Sequence, residues 1–178
     1  MNYCYKCGEK LILKENFNCN VYEGLVPYCE NCKEFRFPFF NVAVSMVIFN
    51  KDYSKTLLIK QYGRDFNILV AGYVEKKETL EEALKREIKE EVGLKVSKIF
   101  FNASRYYEKS NSLISNFIVS VEDENFKLNP EVDFAKWYFL DEAKEAILKN
   151  GLAEAFFLIS LEKIKQKIAP SLFRRGYF

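Results

Sequence analysis

Glu87, Glu90 and Glu91 stand where an amphipathic helix should be apolar, and that conflict is the first sign of chemistry in the chain. With roughly 100° of turn per residue, Leu80, Ala83, Leu84, Ile88 and Val92 form one stripe, and Glu82, Lys85 and Lys89 fall on the opposite, solvated face. Glu87 and Glu91 project close to Leu80 and Leu84 instead, with Glu90 at the margin, so the stripe turns acidic in the second half of the helix. Carboxylates four residues apart repel, and an acidic cluster at the edge of a core is costly unless a cation sits among its members. A hard divalent ion with oxygen ligands, Mg2+ or Mn2+, suits such a cluster. The plainer alternative is a helix laced by Glu81 to Lys85 and Glu82 to Arg86 pairs. Thr79 followed by Glu82 makes a capping box that should start the helix, and Gly93 is placed to end it.

A second set of ligands lies near the N-terminus. Cys4-x-x-Cys7 and Cys29-x-x-Cys32 are two knuckles separated by 21 residues, a spacing that suits one structural Zn2+ held by four thiolates. Two disulfides are the competing reading, disfavoured where thiols are kept reduced. Cys19 remains over and is expected as a small, partly buried side chain of the ribbon. Four thiolates around one zinc carry about two net negative charges, which brings the formal +2 of the chain to near neutrality, so no nucleic-acid patch is implied. Histidine is absent, which excludes Ser-His and Cys-His catalysis and leaves carboxylates, Lys and Tyr for acid and base work.

These residues need a scaffold, and 178 residues with 49% hydrophobic and 29% charged suffice for one main core plus a small metal-stapled module. The ribbon is expected over residues 1–36 and the larger domain over 37–178, joined at the Pro38 segment without a long linker. Asn41 to Asn50 and Thr56 to Tyr62 read as a hairpin, and Ile68 to Ala71 as a short strand leading into a loop at Gly72. After the helix over 79–92, strands near 95–107 and 112–121 form a second hairpin, and Phe134 to Leu140 is a last strand carrying Trp137. Asp141 should cap a helix from Glu142 to Lys149, with Gly151 separating it from a final helix to about Ile168. The fold class is α/β, with a mixed sheet between helices. The longest apolar run, Val42 to Phe49, is too short to span a bilayer and no targeting segment is evident, so the expected compartment is the cytoplasm.

Gly72, Glu78, Arg86-Glu87-Ile88, Glu90-Glu91 and Gly93-Leu94 occur in the order and spacing of the Nudix signature, and the chain resembles the Nudix hydrolases. That resemblance implies the Nudix α/β/α sandwich and hydrolysis of a nucleoside diphosphate linked to another moiety. It further implies divalent ions held by Glu87, Glu90, Glu91 and the carbonyl of Ala71, with Glu90 and Glu91 both open as the general base. Arg86 should pair with Glu78 or Glu90 and orient carboxylates.

A ribbon ahead of a Nudix domain resembles the NADH pyrophosphatase branch, whose members also remove NAD caps from RNA 5′ ends. On that resemblance Phe37 would line the nucleotide pocket and Tyr73 would stack on a base, although Tyr73 could equally pack in the core. Glu131, six residues before Trp137, would complete the metal shell, its alternative being a surface acid. The branch's proline-rich segment is reduced here to Ser104 and Ser112, so a relaxed substrate preference is expected. Lys60, Arg64 and Arg105 are candidate phosphate contacts that spacing does not separate from solvated charges. The resemblance points to NADH or NAD+ cleaved to NMN(H) and AMP, with RNA 5′ ends as a further partner and a homodimer left open. Competing readings are ADP-ribose, a dinucleoside polyphosphate or a damaged dNTP as substrate, or a catalytically silent nucleotide sensor.

Overall fold

Cys19 and Asn20 both adopt positive φ, 48° and 66°, the two-residue loop geometry whose twist matches that of the strands on either side. They join β1 (Ile12–Asn18) to β2 (Val21–Cys29) as an antiparallel hairpin, and β2 pairs in turn with β3 (Glu34–Phe35). Cys19 is therefore an exposed tip residue, contrary to the partly buried position expected for it, because the turn points its side chain away from the sheet. The computed structural model describes residues 2–173, with side chains to residue 166. It divides into two compact units, Met1–Phe40 and Asn41–Phe178.

In the second unit the Val- and Ile-rich run becomes β4 (Asn41–Phe49), buried almost throughout. One edge of β4 pairs in parallel with β8 (Ser112–Val121); the other edge is shared antiparallel by β5 (Lys55–Gln61) at its end and by β6 (Val70–Tyr73) at its start. With β7 (Val96–Tyr107) beyond β8 and β9 (Val132–Phe139) beyond β5, the six strands form the mixed sheet expected from sequence. Two layers cover it. α1 (Leu80–Val92) packs Ala83, Leu84, Ile88 and Val92 on Val44, Met46, Ile48, Leu57 and Val119. On the other face α2 (Leu140–Ala146) and α3 (Leu152–Phe173) bring Ala143, Phe156, Phe157 and Leu161 against Val47, Phe49, Leu58 and Ile118. Among the described residues no helix is long and apolar enough to cross a membrane.

Several boundaries differ from the sequence expectation. Gly72 lies within β6 opposite Val44 rather than in a loop, because the ladder continues through Tyr73 and the Val74 amide still donates to Val42 at 2.9 Å. Its φ is not positive; the missing side chain matters for close approach, since a Cβ there would lie 1.9 Å from Glu87 Oε1. The helix expected from Glu142 begins at Leu140 with Phe139 as its cap, and Asp141, in the first turn, is engaged by Lys144 at 2.6 Å instead of capping. It stops at Ala146 because Ile147 bridges to Asn67 in extended conformation.

α1 itself forms as its caps predict. Thr79 accepts from the Glu82 amide at 3.2 Å while Glu82 accepts from the Thr79 amide at 2.8 Å, and Gly93 closes the helix at φ 67° with its N–H on Lys89 O. An alanine at Gly93 would carry a Cβ into the left-handed region and 3.1 Å from Lys127 O. Gly93→Ala should therefore cost about 1–2 kcal/mol of stability, read as a lowered urea midpoint; an unchanged midpoint would show that this cap does not hold the helix end.

Candidate active site

Arg86 is the structural centre of the acidic cluster. Its guanidinium donates to both oxygens of Glu78 at 2.8 and 2.9 Å, to Glu87 Oε1 at 2.7 Å, to Glu90 Oε2 at 3.3 Å and to the carbonyl of Tyr73 at 2.9 Å. It thus fastens the end of the loop before α1, two turns of α1 and the end of β6 to one planar fork. The hydrogen bond from Arg86 holds the Glu78 carboxyl down at about 2, so Glu78 is a permanently charged anchor. The Glu82 to Arg86 pair of the plain-helix reading does not form, because Glu82 is spent on the cap.

Beside this clamp a cavity of about 770 Å³ opens at the start of β4. Glu87 and Glu91 reach it from α1, Glu131 from the turn before β9, and Ala71, Gly72 and Tyr73 from β6. Ser112 and Ile114 of β8 complete the far wall. Glu91 is only 4% exposed, and its Oε2 has no hydrogen-bond partner. Burial, reinforced by the charges of Glu87, Glu131 and Glu90, pushes its carboxyl up to about 7 against the opposing influence of Gln61. Gln61 is itself buried with an unpartnered Nε2. A buried, orphaned carboxylate oxygen beside two further carboxylates fits a divalent cation with oxygen ligands. Glu90 is exposed, does not line the cavity and faces Arg86.

The remaining expected residues sort clearly. Tyr73 lines the cavity and is 55% exposed, which removes the core-packing alternative for its ring. Ser112 is buried at the cavity wall, whereas Ser104 is exposed and lines neither this cavity nor its neighbour. Lys60 is tied to Asp65 and sits over the Phe134 ring. Arg64 lines this cavity, while Arg105 lines a neighbouring one. Phe37 is exposed in the smaller unit. Sequence reasoning missed Tyr62, which lines the cavity at φ 57° and whose phenol is raised by burial and by Glu131, Glu91 and Glu87. The Gly63 amide donates to Asp133 at 2.7 Å and fixes this turn next to Glu131. Only the glycine after the strand could have signalled it.

In the smaller unit the Sγ atoms of Cys4, Cys7, Cys29 and Cys32 all lie within 4.8 Å of one another. Cys7 to Cys29 is 3.5 Å and Cys4 to Cys32 is 3.9 Å, far beyond a disulfide and close to the edge of about 3.8 Å that a tetrahedral zinc with Zn–S of about 2.3 Å requires. Burial raises the Cys4 thiol, but hydrogen bonds from Arg36 and then from the backbone at Lys6 and Cys7 outweigh it and bring it to about 6. Cys32 is pushed up to about 12 by hydrogen bonding with Cys7, by burial and by Cys29. Sulfurs this close resist shared ionisation without a cation, and the donor set fits a metal.

Comparison with known proteins agrees with this geometry. The family model described as NUDIX domain matches residues 39–158. The NAD-capped RNA hydrolase NudC of Shigella flexneri is 28% identical over 144 residues, covering 79% of this chain and 52% of the relative. The chain thus spans about half the length of the curated relatives it matches. Among solved structures, a NUDIX hydrolase from Nitrosomonas europaea superposes with a TM-score of 0.59 at 22% identity, covering 84% of this chain and 85% of the other. The NUDIX domain of Shewanella oneidensis NrtR, complexed with ADP ribose, gives 0.62 at 16% identity, covering 77% and 94%.

Two outcomes follow from the charges. With its folded value raised above the unfolded one, Glu91 retains a proton in the folded protein between about pH 4.5 and 7, so metal-free protein loses stability as pH rises through that window. Glu91→Gln should remove this loss and stabilise the zinc-loaded protein, free of Mg2+ and Mn2+, by about 1–3 kcal/mol at pH 8 and little at pH 5; equal melting shifts at both pH values would contradict the burial argument. For the cysteines, elemental analysis should find about one zinc per chain, and Cys29→Ser should lose it and unfold the smaller unit. A metal-free, fully folded ribbon with disulfides would refute that assignment.

Proposed function

The chain belongs to the NUDIX domain family, and from that premise we propose that it is a pyrophosphohydrolase acting on a nucleoside diphosphate linked to a second moiety. The observation that carries this reading is the convergence of Glu87, Glu91 and Glu131 on one cavity, with the buried Oε2 of Glu91 unpartnered. Glu87, Glu91 and Glu131, with the Ala71 carbonyl and with Glu90 at the margin, would hold Mg2+ or Mn2+, which when bound supplies charge neutralisation of the diphosphate and a more acidic water.

The chain's own residues do the rest. Arg86 holds Glu87 and Glu90 at fixed distances and ties them to Tyr73 O, so the carboxylates are oriented before substrate arrives. Glu91, buried and with an unpartnered oxygen facing the cavity, is placed to take a proton from water there, whereas Glu90 is exposed and engaged by Arg86, which favours Glu91 as the base. Tyr73 and Tyr62 offer rings at the mouth for the base or ribose of the nucleotide. Arg64 is available to a phosphate oxygen.

As substrate we infer NADH or NAD+, cleaved to NMN(H) and AMP, with NAD-capped RNA 5′ ends as the related larger substrate. The ribbon ahead of the domain and the similarity to proteins named NAD-capped RNA hydrolase support this choice. The segment between Ser104 and Ser112 runs as the end of β7, a short 3-10 turn and the start of β8, a plain hairpin in place of a rigid proline-rich wall, which supports a relaxed preference among adenine dinucleotides.

A panel of NADH, NAD+, ADP-ribose, a dinucleoside polyphosphate and nucleoside triphosphates, incubated in Mg2+ and Mn2+ with products identified by mass, tests the reading. NMNH and AMP from NADH are expected, with Glu91→Gln at least ~100-fold slower. Cleavage of triphosphates alone would remove the dinucleotide substrate, and near wild-type turnover by Glu91→Gln would remove its catalytic role.

A further inference from the structure

A row of paired residues crosses the sheet from the candidate active site: Tyr73 pairs with Ala43, Ala43 with Ile114, and Ile114 with Arg105. Paired residues on adjacent strands project from the same face, and strands lie about 4.8 Å apart, so Arg105 stands three strand spacings, about 14 Å, from Tyr73. Between them Ala43 and Ile114 make a low floor, with Ser112 and its partner Tyr107 in the neighbouring row. Past this floor lies a second cavity of about 990 Å³, which shares Arg64 and Tyr107 with the first.

The two cavities carry opposite charge. The first is lined by Glu75, Glu87, Glu91 and Glu131 against Arg64 and Arg86, four acids to two bases. The second is lined by Arg64, Arg105, Lys109 and Lys149 against Glu154, four bases to one acid. Glu154 is already engaged, accepting from the Asn150 amide at 2.7 Å and facing Lys149 at 3.6 Å. Among the described residues Arg64, Arg105 and Lys109 have no carboxylate within ion-pair distance, although the chain carries nearly as many acids as bases. Phe66 lies in the same wall, with the Arg64 guanidinium 6.0 Å from its ring. Unpaired cations that line a concavity next to a reaction centre are arranged for an anion, and guanidinium groups favour phosphate.

We propose that this second cavity is a subsite for a phosphate esterified to the ribose of the substrate's nucleoside, a phosphate additional to the cleaved diphosphate. The nucleoside lies on the Ala43 and Ile114 floor beside Tyr73, and its extra phosphate meets Arg105, Arg64 and Lys109. The proposal rests on the hydrolase reading for the orientation of the substrate. Such a phosphate has two sources, the 2′-phosphate of a phosphorylated dinucleotide and the 3′-phosphodiester of an RNA 5′ end.

Calorimetric titration of the zinc-loaded full chain, without Mg2+ or Mn2+, with AMP, adenosine 2′,5′-bisphosphate and adenosine 3′,5′-bisphosphate tests it without turnover. At least fivefold tighter binding of a bisphosphate than of AMP is expected. Preference for the 2′,5′ compound assigns the small dinucleotide, and preference for the 3′,5′ compound assigns the RNA end. Arg105→Ala combined with Lys109→Ala, in protein whose thermal unfolding matches wild type, should reduce that ratio to below twofold. A wild-type ratio under fivefold, or no detectable binding of either bisphosphate, overturns the subsite, as does a ratio that survives both substitutions. Should the ratio hold while no dinucleotide is cleaved, the dinucleotide substrate reading fails and the subsite stands.

Discussion

Close approach between the β6 backbone and the Glu87 carboxylate is the constraint on which the site depends. A Cβ at Gly72 would occupy the space of that carboxylate, and Arg86 holds the two elements in this contact by binding Glu87 and the Tyr73 carbonyl together. Glycine and arginine thereby act as one device, the first removing bulk and the second supplying the fork that fixes the distance. The same arginine is charge-compensated mainly by Glu78, which leaves Glu91, with no partner for its buried oxygen, to face the cavity. The cluster is thus built with a deficit of positive charge, and the buried end of α1 accepts the cost of Glu91 among the apolar side chains of Ile88 and Val92.

The two units solve different stability problems. The larger unit buries both faces of its sheet under helices and needs no staple. In the smaller unit only Cys4, Tyr28, Cys29 and Arg36 are buried among the described residues, while Leu13, Phe17, Tyr22 and Leu25 are largely exposed. So small a core does not sustain a fold by itself, and a metal held by the four thiolates would supply what apolar burial lacks. Arg36 belongs to that site as much as the thiols do, since its Nε donates to Cys4 Sγ at 3.2 Å.

What was legible in the sequence was local. The capping box at Thr79, the glycine stop at Gly93, the acidic break in the helix stripe and the paired cysteine knuckles each depend on residues a few positions apart, and each appears where the pattern placed it. Features set by pairing across the chain were not legible in this way. Gly72 reads as a loop residue until Val44 pairs with it, and Asp141 reads as a cap until Lys144 engages it. Tyr62 enters the site through a left-handed backbone that no residue type demands. The separation of Ser112 from Ser104 and of Glu90 from Glu91 likewise comes from sheet register and from which side of a helix or strand faces the cavity.

The central claim is that the acidic cluster around the buried Glu91 is a divalent cation site whose charge deficit resides at that residue. Electron paramagnetic resonance of free Mn2+, titrated with the zinc-loaded full chain at pH 8 and pH 6, measures it directly. The account predicts binding at pH 8 that weakens as protons compete for Glu91 through its value near 7, and at least a tenfold loss of affinity in Glu91→Gln with the ribbon zinc retained. Equal Mn2+ affinity in wild type and Glu91→Gln at pH 8 would contradict it.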